Sequence, residues 1–233
     1  MKVCIDGGHN HSGYDTGAQG NGLKEQDITW AISSIVAEKL GKLGLETVET
    51  RPLKTSNVNN SSINASLNRR VEICNNAKCD LFVSVHCNAG GGTGTETYVY
   101  SKSGKAYNLA TAVNNAIINS LPLKDRSVKT ADFAVLRNTN CPAILVETAF
   151  IDNALDAKLF WERLPDFAEA ILSGICKYLS IAIDEPKKEP TIDEMKAVIT
   201  EKCGYSNPAD VFKCFDNHPY KADLIRKWYE NLR

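Results

Sequence analysis

Two histidines and two glutamates in this chain stand where metal binding and proton transfer could be done together. His9 follows the apolar run Val3-Cys4-Ile5 and its Asp6-Gly7-Gly8 turn, and His86 closes Leu81-Phe82-Val83-Ser84-Val85. Glu147 closes Ala143-Ile144-Leu145-Val146, and Glu25 ends a loop that runs through Gly13, Gly17, Gly20 and Gly22. Short apolar runs that stop at turn residues read as buried strands. Three strand ends and one loop therefore offer two imidazoles and two carboxylates. Catalytic zinc takes three protein ligands and keeps a fourth position open for water. His9, Glu25 and His86 have that composition, leaving Glu147 as a carboxylate for general acid–base work. Blander readings stand beside this one. A histidine at a strand end is more often a surface or hydrogen-bonded residue, and Glu25 suits the first turn of a helix, where the dipole favours a carboxylate. Glu147 ends a run that reads as fully buried, where it needs a partner, and Arg69 or Arg137 could supply one. His11 is a substitute ligand in what reads as an exposed loop, and His218 lies in the distant C-terminal segment.

The elements that must position these residues alternate. Ile28, Ile32, Ile35, Val36, Leu40 and Leu43 mark a helix after Glu25, closed by Gly44, and Leu45 to Val48 reads as a second strand. Thr55 to Ser62 is a polar loop, and Ala65 to Ala77 a helix carrying Leu67, Val71 and Cys74 on one side. Thr95 to Tyr100 is β-branched and aromatic, as strands are. Ala106 to Leu121 has a helical stripe ended by Pro122. The stretch with Lys124, Arg126 and Lys129 reads as a polar loop, and Phe133 to Leu136 as a short strand. Phe167 to Leu179 makes the last long helix, with Pro165 in its first turn. Strand–helix alternation predicts a layered α/β fold, with ligands at the carboxyl ends of the strands.

The 233 residues suffice for one substantial core, and a net charge of −1 gives no reason to expect nucleic acid or an anionic membrane as partner. No apolar run is long enough to span a bilayer. Cys4 and Cys176 read as buried core thiols, and Cys87 should turn to the opposite side of the strand from His86. Cys74 and Cys79 are too far apart for a CxxC motif, and no spacing completes a four-cysteine zinc set. Met1-Lys2 leads straight into the first strand without a secretory signal, which predicts synthesis in the cytoplasm with reduced thiols, Cys203 and Cys214 included. Asp184 to Pro190, charged and carrying two prolines, reads as a linker within 182–190. It divides a domain of residues 1–181 from a small helical segment, 191–233, with helices expected near Ile192–Lys202 and Ala222–Leu232. That segment is too short to hold a strong core alone; docking, or homo-oligomer formation through it, would supply the missing burial.

Several of these stretches together resemble one family. Asp6-Gly7-Gly8-His9, Asp15-Thr16-Gly17-Ala18 and Gly22-Leu23-Lys24-Glu25-Gln26-Asp27 are similar to the opening motifs of the zinc-dependent N-acetylmuramoyl-L-alanine amidases of the Amidase_3 type. Ser84-Val85-His86-Cys87-Asn88-Ala89 resembles that family's Ser-hydrophobic-His-x-Asn-Ala motif. Leu67-Asn68-Arg69-Arg70 resembles its arginine-bearing helix, and Ala143 to Asn153 its closing motif. The chain departs in having Gly7 where the family usually has proline, and Asn10-His11 after the histidine. The resemblance implies a single α/β domain with a twisted, largely parallel six-stranded sheet flanked by helices. It implies one zinc on His9, Glu25 and His86, and Glu147 as the catalytic carboxylate. The implied reaction cleaves the amide between N-acetylmuramic acid and L-alanine of the peptidoglycan stem peptide, with Asn88 and Arg137 as further candidates for substrate contact. With no export signal, such an enzyme would reach the wall as a phage or prophage endolysin does, through a holin-type pore or on lysis, with the tail as a wall-targeting or oligomerisation module. A zinc amidohydrolase or peptidase of another substrate class, and a wall-binding module without catalysis, are the competing readings.

Overall fold

The computed structural model describes residues 1–183, 192–203 and Ile225. The chain divides into two compact units, Met1–Ala182 and Ile183–Arg233. In the first, β1 (Lys2–Gly7) is followed by a small ribbon of β2 (Gln19–Gly20) and β3 (Leu23–Lys24), then α1 (Glu25–Lys42), β4 (Glu46–Glu49), α2 (Ile63–Asn76), β5 (Leu81–Asn88) and β6 (Thr95–Val99). After them come α3 (Gly104–Ser120), β7 (Asp125–Thr130), the single turn α4 (Ala134–Arg137), β8 (Ala143–Phe150) and α5 (Ala154–Leu179). The six-stranded sheet has the order β4-β1-β5-β8-β6-β7. Its pairs are parallel except β6 against β8, so β6 and β7 run against the other four strands. This is the largely parallel, helix-flanked sheet expected.

Parallel strands covered on both faces are apolar throughout, and β1, β5 and β8 obey this: Val3, Cys4, Ile5, Phe82, Val83, Ile144 and Val146 are fully buried. Helix α5 packs against both α1 and α3, and all three contact the sheet, while α2 and α4 pack together over Cys4, Phe82 and Leu145. Gly174 allows the close approach of α5 to α3, since a Cβ there would lie 2.4 Å from Val113 Cα. Because β1, β5 and β8 are parallel, His9, His86 and Glu147 come together towards their carboxyl edge, although β5 and β8 run on to Asn88 and Phe150 rather than stopping at His86 and Glu147 as expected.

Three expectations need correction. Phe133 to Leu136 is not a strand: Ala134–Arg137 forms one helical turn, closed by Arg137 N–H to Phe133 O at 2.9 Å and Asn138 N–H to Ala134 O at 3.0 Å. A four-residue apolar run cannot tell the two apart by periodicity. The strand lies earlier, in the charged stretch Asp125–Thr130, at the sheet edge where polar residues are tolerated. The last helix begins well before Pro165: Asn153 caps it by accepting from the N–H groups of Leu155 and Asp156, and it bends at Arg163 (φ −137°). Pro165 opens the second segment, where a missing N–H costs least.

In the second unit, α6 (Ile192–Cys203) has Met195 and Ile199 buried, one turn apart. The linker and the helix expected over 222–232 lie outside the described residues, apart from Ile225, which is helical. Among the described residues no helix is long and apolar enough to cross a membrane.

Candidate active site

The chain leaves β1 at Gly7 and turns at once. Gly8 N–H continues the ladder to Val85 O at 3.0 Å, and Gly8 O is held by Thr29 Oγ1 and Arg51 Nη1 at 2.7 and 2.9 Å. His9 then takes a left-handed conformation (φ 69°), which aims its ring back across the strand ends. Only glycine can precede it here: a Cβ on Gly8 would lie 2.4 Å from the His86 ring.

Three donors converge. His9 Nε2 lies 2.9 Å from Glu25 Oε1, and His86 Nδ1 lies 3.2 Å from both His9 Nε2 and Glu25 Oε1. The candidate ligand atoms of the three residues all fall within 4.8 Å of one another. Two of the three, His9 and Glu25, are oriented from behind. Asp15 Oδ1 takes the N–H of His9 Nδ1 at 2.8 Å, and Asp15 Oδ2 accepts from Ser66 Oγ at 2.7 Å. Glu25 accepts from the backbone N–H groups of Ala18 and Cys87. An imidazole whose far nitrogen is tied to a carboxylate is the usual outer support of a metal-binding histidine.

The electrostatics call for a cation. Burial alone would lower the His9 pKa, but its hydrogen bonds to Asp15 and Glu25 outweigh that and push it up to about 9. Burial likewise opposes the charge on Glu25, and His86 and His9 more than reverse it, holding the carboxylate well below its usual range. Two imidazoles and a carboxylate held this close mark a place a divalent ion could take. The donor set, two nitrogens and one oxygen, suits zinc.

Glu147 stands beside this nest, in register with His86 on one side and Glu96 of antiparallel β6 on the other. Burial pushes its carboxyl up to about 7, with His86 and His9 opposing and Glu25 and Glu96 adding to the rise. Its Oε2 is buried without a hydrogen-bond partner among the described residues. A carboxylate left so is costly unless something absent from the protein meets it. Glu96 is treated differently: burial opposes its charge too, yet Lys129, Arg126 and Tyr98 hold its pKa down to about 2.

Behind the nest, Arg70 and Asp6 form a fully buried pair at 2.6 Å. Arg70 also donates to Gly7 O at 2.8 Å and His9 O at 2.6 Å, and Asp6 accepts from Ser84 and Thr50. The backbone path that carries His9 is thereby pinned to α2 and β5.

The structure thus brings His9, Glu25, His86 and Glu147 together. Neither arginine considered for Glu147 reaches it: Arg69 pairs with Glu72 and Arg137 with Asp132. Asn88, two residues beyond His86, commits an amide N–H to Glu96 Oε1 at 2.8 Å, while Arg137 sits half-exposed. His11 is exposed, and His218 lies outside the described residues. Cys4, Cys87 and Cys176 are buried, and Cys87 Sγ packs near Thr148. Sequence spacing gave no sign that Cys4, Cys74 and Cys79 would meet within 4.8 Å, with Cys141 Sγ 3.8 Å from Cys74 Sγ. Val71, Phe82, Val135, Leu136 and Leu145 surround them, so the thiols act as small core residues. Also missed were Asp15, Arg70 and the Glu96–Arg126–Lys129 cluster. The Asp15-Thr16-Gly17 turn hints at the first, but only the fold reveals the others.

Two imidazoles and a carboxylate that converge beside a second carboxylate, one of whose oxygens is unpartnered among the described residues, are the equipment of a hydrolase. Comparison with known proteins agrees. Residues 3–177 match the family model Amidase_3, described as N-acetylmuramoyl-L-alanine amidase. The sporulation-specific N-acetylmuramoyl-L-alanine amidase of Bacillus subtilis is 37% identical over 191 residues, 80% of this chain and 70% of its own length. The endolysin of Bacillus phage SPP1 is 37% identical over 214 residues, 85% and 76% of the two chains. Among solved structures, the N-acetylmuramoyl-L-alanine amidase AmiC2 of Nostoc punctiforme superposes with a TM-score of 0.67 at 34% identity, covering 77% of this chain and 97% of that one. This chain belongs to the Amidase_3 family of N-acetylmuramoyl-L-alanine amidases. It is a hydrolase of the amide that joins N-acetylmuramic acid to L-alanine, in a family that is generally zinc-dependent.

Proposed function

We propose that this amidase binds one zinc ion on His9, Glu25 and His86, and that Glu147 is its catalytic acid–base. The observation that carries the reading is the convergence of three donors, His9 and Glu25 held from behind, beside a buried carboxylate oxygen with no hydrogen-bond partner among the described residues. Zinc held there would polarise the lactyl carbonyl and lower the pKa of a water from 15.7 towards about 7. Glu147 takes a proton from the attacking water and delivers it to the departing amine of L-alanine, a task suited to a carboxyl raised towards neutrality. Asp15 keeps the His9 ring in one tautomer and one orientation throughout. Asn88 and Arg137 are assigned to the substrate-binding rim. The substrate is polymeric peptidoglycan at the cell wall, and an endolysin and a sporulation amidase among the relatives support that site of action. The segment beyond residue 190 serves wall targeting or self-association.

Bond identity is tested on purified peptidoglycan by end-group analysis. New L-alanine amino termini, rising in step with solubilised stem peptide, are the expected product. Release of D-alanine, or amino termini of the diamino acid, would move the chain to peptidase chemistry.

A further inference from the structure

Next to Glu147, two cations meet on one buried carboxylate, which is one more than its charge requires. Glu96 is in register with Glu147, so the two side chains share a face at about 5 Å strand spacing. Glu96 Oε1 accepts from Asn88 Nδ2 and Tyr98 OH, both at 2.8 Å. Its Oε2 takes Arg126 Nε at 2.6 Å and also the Lys129 ammonium. The group keeps a formal surplus of one positive charge.

The backbone is arranged to produce this. Arg126 and Lys129, three residues apart on β7, would point to opposite faces of a regular strand. The register with β6 slips between Thr95–Asp125 and Thr97–Val128, placing one extra residue on β7. Ser127 absorbs it in a left-handed conformation (φ 67°), its N–H held by Asp125 Oδ1 at 2.8 Å. Bulges of this kind re-aim side chains next to active sites, and here the bulge turns both cations to the Glu96 face.

Both cations remain within reach of solvent, with side chains 28% and 37% exposed. Arg126 lies over the Phe150 ring at 4.9 Å, and it meets Glu96 through Nε alone. Among the described residues its terminal nitrogens make no other hydrogen bond. A guanidinium fixed at one edge and over one face, with its fork unspent, matches a planar carboxylate.

We propose that Arg126 and Lys129 form a subsite for a carboxylate of the stem peptide, that of the acidic residue following L-alanine, with Glu96 as their positioning residue. The inference rests on the amidase reading above. Two residues of extended peptide reach about 7 Å, comparable with one strand spacing plus a hydrogen bond from Glu147 to the cations. The subsite therefore lies on the leaving-peptide side of the scissile amide and measures the peptide rather than the glycan.

The test compares kcat/KM on two soluble muropeptides that differ only at that second residue, one bearing the free carboxylate and the other its carboxamide. The wild-type protein is expected to favour the carboxylate by about tenfold, carried mainly in KM. Lys129→Met and Arg126→Gln should each bring the ratio towards one, Arg126→Lys should restore part of it, and Lys105→Met on the exposed start of α3 should leave it unchanged. Glu96→Gln should lower the ratio less than loss of either cation. Equal kcat/KM for the two muropeptides with the wild-type protein overturns the subsite, as does a preference that survives removal of both cations. Cleavage of neither muropeptide would bring down the amidase reading itself, and the subsite with it.

Discussion

Glu147→Gln is expected to lose wall-hydrolysing activity by roughly 10²–10⁴-fold, the usual worth of a positioned acid–base group, while still binding its zinc. The side chain is not among the three converging donors, and the glutamine keeps its volume between His86 and Glu96. Metal content and the fold should both be retained, so the loss will register in kcat. The pH profile gives an independent readout. Only the ionised carboxylate can accept the proton of water, so activity should rise with pH through the Glu147 titration, which burial places near 7 in the metal-free protein. A bound dication draws that titration lower, so the acid limb of kcat/KM should fall at or below pH 7 in the zinc enzyme and disappear in the variant. Activity within a few-fold of wild type would remove Glu147 from the mechanism.

The largest effect on stability is expected from Arg70→Met. Arg70 and Asp6 have side-chain exposures of 1% and 0%, and taking away one partner of a buried pair costs about 3–5 kcal/mol because the other charge stays behind. Burial alone would raise the Asp6 pKa. Arg70, Ser84 and Thr50 together lower it instead, so its contribution to stability is present above the unfolded carboxyl range and is lost as pH falls through the depressed value. Without Arg70 that loss should move to higher pH, visible as a lower Tm that falls further on mild acidification. The same guanidinium holds the carbonyls of Gly7 and His9, so zinc affinity should drop about 10–100-fold, the range found for groups that support ligands from behind. Unchanged melting and unchanged zinc affinity would mean that the β1–α2 clamp carries no load.

Much of the fold was legible because buried parallel strands must be apolar on both faces. β1, β5 and β8 announce themselves as unbroken runs, and the residues that end them are the polar ones a site needs. The same logic hid β7. An edge strand is free to be charged, so Asp125–Thr130 reads as a loop, and the cations on it pass unnoticed. Glu96 was hidden for a related reason. In Thr95-Glu96-Thr97-Tyr98 it looks like the solvent side of an alternating strand, yet Asn88 and β7 close over it. The buried arginine of α2 was open to confusion with its neighbour, since consecutive helical residues differ by about 100° and only the packing decides which one faces the strand ends. Arg70 does, and Arg69 faces Glu72 at the surface. The cysteines show the limit from the other side: Cys4, Cys141 and the local pair Cys74 and Cys79 come from three separate segments, and their meeting is a property of the tertiary fold.

The most direct test of the account is turbidity loss of purified Gram-positive cell walls, followed with zinc-loaded protein, after chelation, and after zinc is returned. Clearing that stops with the chelator and resumes with zinc is the predicted result. Clearing that continues undiminished in protein shown to be free of metal would contradict the assignment of His9, Glu25 and His86 as the ligands of a catalytic ion.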